Sequence, residues 1–136
     1  IMHVRNSTVI FSGETALGLH NMLDREYSKV CITVPKGYNA THLKTDRLVV
    51  KYAPGAIYEL GACMISSSSG NLVRAYDRER CICDLILDRN KMEVQNFQTA
   101  MKEYMASKEK KLSRLVAYAE KLGRRDEVMK YVEVLV

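Results

Sequence analysis

Apolar residues follow two different periods along this chain, and the change comes near residue 77. Before it, short runs of aliphatic and β-branched residues alternate with polar breaks, a pattern typical of strands. After it, apolar residues recur every three or four positions, as in amphipathic helices. Strands followed by helices predict an α+β fold: a small mixed sheet of about four or five strands with one early helix, and a helical half packed on it.

The strand-like runs are separated by turn residues and by polar loops. The run at 57–65 contains Gly61, where we expect a bend. Serines and a glycine at 66–70 predict a hairpin loop, and residues 41–43 predict a short helical turn or a connector. We expect strands at residues 9–11, 29–34, 48–52, 57–65 and 71–76.

Two N-cap signals mark the first two helices. Ser12 precedes an early helix of about ten residues, and we expect His20 to pack or hydrogen-bond at its end. Asp77 can accept hydrogen bonds from the first turn of a central helix that joins the two halves of the fold. The predicted buried face of that helix consists of Cys81, Ile82, Leu85 and Ile86.

Three further helices are expected in the last third of the chain. The first has an apolar stripe from Val94 to Met105. Ser107 is expected to cap the next helix, and Gly123 to end it. The last helix follows directly.

Composition limits the class of protein. The chain has 136 residues, 47% of them hydrophobic and 27% charged, which predicts one globular domain over residues 1–136. No run is long enough to span a bilayer and no secretory signal pattern is present, so we expect a cytoplasmic protein with no membrane contact. The four cysteines form no CxxC pair and the three histidines are scattered. We therefore expect free, buried thiols and predict neither a metal nor a cofactor.

Residue types that carry catalysis do not form a recognisable constellation. Glu79 and Asp84 would lie about 140° apart on a helix, and Asp46 and Lys51 would face opposite sides of a strand. Nucleophile elbows, dinucleotide-binding glycines and phosphate loops are not found in the sequence. We predict no catalytic residues and a protein that is not an enzyme, with a diverged nuclease as the second alternative.

Basic residues offer a candidate surface instead. The net charge is +5, from 21 basic and 16 acidic residues, and it permits an acidic partner such as nucleic acid. One group lies around residue 77 and another near the start of the fourth helix. A plain solvated face, with acids at salt-bridge spacing, is the alternative for each group. The candidate partner-binding residues are Arg74, Arg78, Arg80, Lys110, Lys111 and Arg114.

Three segments, taken in order, resemble the C-terminal domain of the AbiEi antitoxins of type IV toxin–antitoxin systems, which act in abortive phage infection. They are FSGETALGLH at 11–20, ITVPKGYN at 32–39 and VRAYDRERCICD at 73–84. The helical tail continues the similarity, so it covers nearly the whole chain. The family usually has Thr at the position of Cys81, a replacement that suits a buried site.

The resemblance implies an antitoxin domain that neutralises a nucleotidyltransferase toxin, without a stable complex being required. In the family, an N-terminal winged helix-turn-helix represses the operon. This sequence would begin where that winged domain ends, so we expect the DNA reader to be absent from these residues. A DNA-binding transcriptional regulator that aids an upstream reader is the first alternative, with DNA as the partner.

Overall fold

The computed structural model describes residues 8–23, 29–39, 47–67 and 69–135. Within these ranges the strands are β1 Ile10–Phe11, β2 Val30–Pro35, β3 Leu48–Ala53, β4 Ala62–Ser66 and β5 Leu72–Tyr76. The helices are α1 Gly13–Leu19, α2 Gly55–Tyr58, α3 Arg78–Leu87, α4 Val94–Ala106, α5 Leu112–Lys121 and α6 Arg125–Leu135. The predicted α+β class, with an early helix and a helical C-terminal half, is confirmed.

The strands form one mixed sheet in the order β3-β2-β1-β5-β4. The β1–β5 and β2–β3 pairs are parallel, and the β1–β2 and β4–β5 pairs are antiparallel. The hairpin predicted around 66–70 is confirmed, because the N–H of Ser67 donates to the carbonyl of Asn71 beside the turn. The short β1 is central and joins the two outer pairs.

Side chains from the two faces of the sheet belong to two separate apolar clusters. Ile10, Ala53 and Tyr76 point into the main core, which also contains the buried residues of the helices. Val9 and Ile32 belong to a smaller cluster on the other face. This division follows from the strand period of two, which sends neighbouring residues to opposite faces.

Helix α3 is the buried centre of the fold, as predicted. The N–H of Arg80 donates to Asp77 Oδ1 over 2.8 Å, which confirms Asp77 as the N-cap. The helix contacts α1 as well as all three later helices. Its predicted apolar residues Cys81, Ile82, Leu85 and Ile86 are all buried.

Two local predictions were wrong. Residues 57–65 are not one strand: the end of α2 and a turn precede β4, because Gly61 has a φ of +82° that breaks an extended run. Ser107 ends α4 instead of capping α5, whose N-cap is Lys111. Ser12 is the N-cap of α1, as predicted, although its hydroxyl accepts from Thr33 and makes no capping bond. The helical turn or connector predicted at 41–43 lies outside the described residues.

Candidate interaction site at the junction of strand β5 and helix α3

The candidate site lies where β5 passes directly into α3, with only Asp77 between them. The Asp77 N–H donates to the carbonyl of Gly61 over 2.7 Å, so the turn before β4 packs on the first turn of α3. A Cβ on Gly61 would lie 2.6 Å from the Cβ of Arg80. This close approach and the positive φ of Gly61 both require glycine there.

Arg80, predicted to lie on a partner-binding surface, is only 4% exposed. Its Nε contacts both carboxylate oxygens of Asp84 at 3.1 and 3.2 Å, and its guanidinium lies 4.3 Å from the centroid of the Tyr76 ring. One terminal nitrogen donates to the carbonyls of Ile57 and Leu60. The prediction of an exposed Arg80 was therefore wrong, because these neighbours satisfy its charge inside the protein.

Burial also changes the acidity of the groups around Arg80. Desolvation raises the pKa of the Asp84 carboxyl, and the nearby Arg80 charge opposes that rise. Desolvation likewise raises the pKa of Tyr76 to about 12. The Tyr76 hydroxyl stays protonated at neutral pH and donates to the carbonyl of Tyr58 over 2.7 Å.

The two acids at the start of α3 bind groups from the later helices. Asp77 Oδ2 accepts from the Tyr118 hydroxyl of α5 over 2.7 Å. Glu79 is 3% exposed, and its Oε2 accepts from the Tyr104 hydroxyl over 2.8 Å and from the Lys111 N–H over 3.0 Å. Burial raises the pKa of both tyrosines, and their hydrogen bonds to carboxylates raise it further. These contacts attach α4 and α5 to the junction.

Four of the predicted basic residues surround this buried network, and we call them the basic rim: Arg78, Lys110, Lys111 and Arg114. Arg78 pairs with Glu109 at 2.9 Å in the connection between α4 and α5. Arg114, 42% exposed in its side chain, lies 3.6 Å from Asp77. Lys110 donates to the carbonyl of Ser107. Their contacts place all four residues beside the α4–α5 connection and the first turns of α3 and α5.

The sixth predicted residue, Arg74, lies apart from the basic rim on β5. Its guanidinium is 3.5 Å from Glu59 and 5.8 Å from the centroid of the Tyr58 ring. Both neighbours belong to the segment before β4 and not to the later helices. Arg74 therefore does not extend the rim.

Several residues that hold this site together were not singled out from the sequence. The spacing of Arg80 and Asp84 by four residues was a usable signal for a helical ion pair. Tyr104 and Tyr118 gave no such signal, because their partners are distant in sequence.

His20 was predicted to pack or hydrogen-bond at the end of α1. Its Nε2 lies 2.8 Å from the carbonyl oxygen of Tyr76, which confirms that prediction.

The residues considered for a metal-dependent nuclease site do not form one in the part of the chain that the structure describes. Lys51 pairs with Asp88 at 2.6 Å, and Asp46 lies outside the described residues. All four cysteines are free, two buried and two half-buried. In the described ranges, no three His, Cys, Asp or Glu side chains are grouped to hold a metal ion.

None of the described helices has the length and apolar character needed to cross a bilayer.

No family model matches the chain, and no curated protein matches it either.

Proposed function

We propose that this chain is a non-enzymatic antitoxin domain of a type IV toxin–antitoxin system, and that it neutralises a nucleotidyltransferase toxin. The proposal starts from the three segments that resemble the AbiEi antitoxins. One observation supports it most: these segments, distant in sequence, are neighbours in the fold. They contain the end of β1 with α1, the larger part of β2, and most of β5 with the first seven residues of α3.

The contacts between the three segments are specific. β1 pairs with β2 on one side and with β5 on the other. Thr33 of the second segment donates to Ser12 of the first over 2.8 Å, and His20 of the first contacts the carbonyl of Tyr76 in the third. A resemblance limited to one continuous structural unit is more informative than three unrelated short matches.

The use of the polar residues at the junction also supports a non-enzymatic role. Asp77, Glu79 and Asp84 each bind a tyrosine, an arginine or a backbone N–H of the same chain. A general acid or base has to exchange protons with a substrate, whereas these carboxylates stabilise the packing of helices. The remaining polar feature is the basic rim, which suits contact with an acidic surface.

The second candidate function is binding to DNA, and one observation favours it. Further exposed basic side chains occur in the later helices and the connections between them, at Lys102, Lys108, Lys121, Arg124 and Arg125. Phosphate contacts of this kind make affinity fall steeply with salt. Acids in the same helices pair with some of them, as Glu120 does with Arg125.

Co-expression of this chain with a nucleotidyltransferase toxin tests the proposal. We expect growth to be restored when the chain is present and toxicity to persist without it. A matched control uses Gly61→Ala, which we expect to destabilise the fold and to reduce rescue in step with the level of folded protein. Full toxicity in the presence of abundant, folded wild-type chain would contradict an antitoxin function.

Measuring DNA affinity of the same purified chain across salt concentrations separates the second candidate from the first. Rescue without salt-dependent DNA binding favours neutralisation of the toxin alone. Tight, salt-dependent binding without rescue favours the regulator.

A further inference from the structure

The two edge strands of the sheet differ in their chemistry. β3 carries Lys51 and directly follows Arg47. β4, at the opposite edge, contains only Ala62, Cys63, Met64, Ile65 and Ser66. Proteins commonly place charges or prolines on an edge strand to prevent pairing with another chain. β4 has neither.

Hydrogen bonds beside β4 show which of its backbone groups point outwards. The Ser67 N–H donates to Asn71, and the Asp77 N–H donates to Gly61. Because hydrogen-bonded pairs alternate along an antiparallel ladder, residues 61, 63, 65 and 67 bond to β5. Residues 62, 64 and 66 therefore direct their N–H and C=O groups away from the sheet.

The outer edge of β4 thus offers a short row of backbone donors and acceptors. The Ala62 N–H already donates to the carbonyl of Glu59. The carbonyl of Ala62 and both backbone groups of Met64 and Ser66 remain. Within the part of the chain that the structure describes, β5 is the only strand paired with β4.

We propose that β4 pairs with β4 of a second copy of this chain, antiparallel and two-fold symmetric about Met64. In this register the Met64 residues of the two copies exchange both backbone hydrogen bonds. Each Ser66 N–H donates to the Ala62 carbonyl of the other copy. The Ala62 N–H keeps its bond to the carbonyl of Glu59, so the Ser66 carbonyl that faces it in the other copy receives no hydrogen bond from it.

Side chains on both faces fit this register. Met64 is 56% exposed and would lie beside Met64 of the other copy, near the exposed Leu72 on the same face. On the opposite face, half-buried Cys63 would lie beside half-buried Ile65 of the other copy. Cross-strand apolar pairs of this kind stabilise a sheet.

Charge does not oppose this pairing. Arg74 faces Met64 across the β4–β5 pair, and it is the basic residue nearest to the two-fold axis along that row. The two copies of Arg74 would be three strand spacings apart, about 14 Å. This separation exceeds the Debye length of about 8 Å at physiological ionic strength, so salt largely screens the repulsion. An interface of one short strand predicts a weak, concentration-dependent dimer.

Sedimentation of the 136-residue chain from about 10 µM to about 1 mM tests the proposal. We expect the mass to rise from 15.5 kDa towards twice that value. Met64→Lys places two like charges opposite each other and should weaken dimerisation roughly tenfold or more. Val49→Lys, at an exposed position on the other edge strand, is the matched control and should dimerise like wild type.

Cross-linking tests the register directly. In a Cys63→Ser background, Met64→Cys would bring two Cα atoms within about 5.5 Å, a distance that a disulfide can span. We expect covalent dimers from this variant and not from Val49→Cys in the same background. A wild-type chain that stays monomeric throughout the range, with no cross-link through position 64, would overturn the proposal. If the chain is monomeric and Met64→Lys abolishes toxin rescue without unfolding the protein, the outer edge of β4 pairs with a strand of another protein instead.

Discussion

The two sides of the β5–α3 junction carry the same residue types in opposite environments. On the inner side, Arg80 is buried against Asp84, the ring of Tyr76 and two carbonyls. On the outer side, Arg114 is 42% exposed in its side chain and lies 3.6 Å from Asp77. Each arginine is the third residue of its helix, Arg80 of α3 and Arg114 of α5, and nothing in the charge of an arginine distinguishes them.

The comparison separates residues that stabilise the fold from residues available to a partner. Breaking a buried ion pair leaves an uncompensated charge and costs several kcal/mol. An exposed pair contributes little, because water and salt screen it. Substitutions on the two sides of the junction should therefore have opposite consequences: loss of stability on the inner side and loss of function on the outer side.

Arg80→Met should have the largest effect on stability. The substitution keeps much of the side-chain volume but leaves Asp84 and the Ile57 and Leu60 carbonyls without their cationic partner. We expect a loss of about 3–5 kcal/mol in the free energy of unfolding. Urea denaturation measures it, with Arg114→Ala as the exposed control, expected to cost under about 1 kcal/mol. Equal losses in the two variants would remove the distinction between inner and outer sides.

Gly61→Ala should have the next largest effect. The new Cβ would lie 2.6 Å from Arg80 Cβ, at a φ of +82°. Strain and overpacking together predict a loss of about 2–4 kcal/mol. Gly70→Ala is the matched control, because its φ is +85° but nothing lies within 4 Å of the added carbon. That control should lose about 1 kcal/mol in thermal or urea unfolding. Identical losses would show that the contact with α3 is not tight.

Tyr104→Phe tests the link between the junction and α4. The change removes the hydroxyl that donates to buried Glu79 and leaves that carboxylate with the Lys111 N–H. We expect a loss of about 1–3 kcal/mol by chemical denaturation. Tyr52→Phe, at an exposed tyrosine of β3, should change stability very little. A stable Tyr104→Phe variant would mean that Glu79 does not depend on this bond.

His20 gives the smallest predicted effect, seen as pH dependence. Burial lowers its pKa, although the hydrogen bond to the carbonyl of Tyr76 opposes this shift. Because the pKa of His20 is lower in the folded chain, the unfolded chain binds the proton first as the pH falls. The stability that neutral His20 contributes is therefore fully present above pH 6.5, its ordinary pKa, and is lost as the pH falls through the pKa of the folded state. His20→Gln should therefore flatten the dependence of unfolding free energy on pH between about 7.5 and 5. An unchanged slope would contradict this role.

Sequence patterns predicted most of the elements because apolar periodicity reflects burial directly. The buried face of α3 and the Asp77 cap are local features, and both are confirmed. The short helix α2 was missed because the run from 57 to 65 is apolar whether it forms a helix, a turn or a strand. Gly61 was recognised as a bend, but its contact with Arg80 depends on the tertiary fold.

The candidate site was less accessible from sequence than the fold. Exposure of a basic residue depends on partners that come from distant segments, as Arg80 shows with the carbonyls of Ile57 and Leu60. Four of the six predicted basic residues lie on one rim, Arg74 lies apart from it, and Arg80 is inside. Local spacing indicates where charges lie along the chain, whereas their environment comes from long-range packing.

We propose that the outer side of the junction contacts the partner and that the inner side does not. The most direct test replaces three rim residues together, with Lys110→Gln, Lys111→Gln and Arg114→Gln in one variant. The matched control neutralises Lys121, Arg124 and Arg125 in the same way. We predict that both variants keep a melting temperature close to wild type, because the side chains are exposed or hold only weak pairs. Only the rim variant should lose toxin rescue in cells. Full rescue by a folded rim variant would contradict the claim.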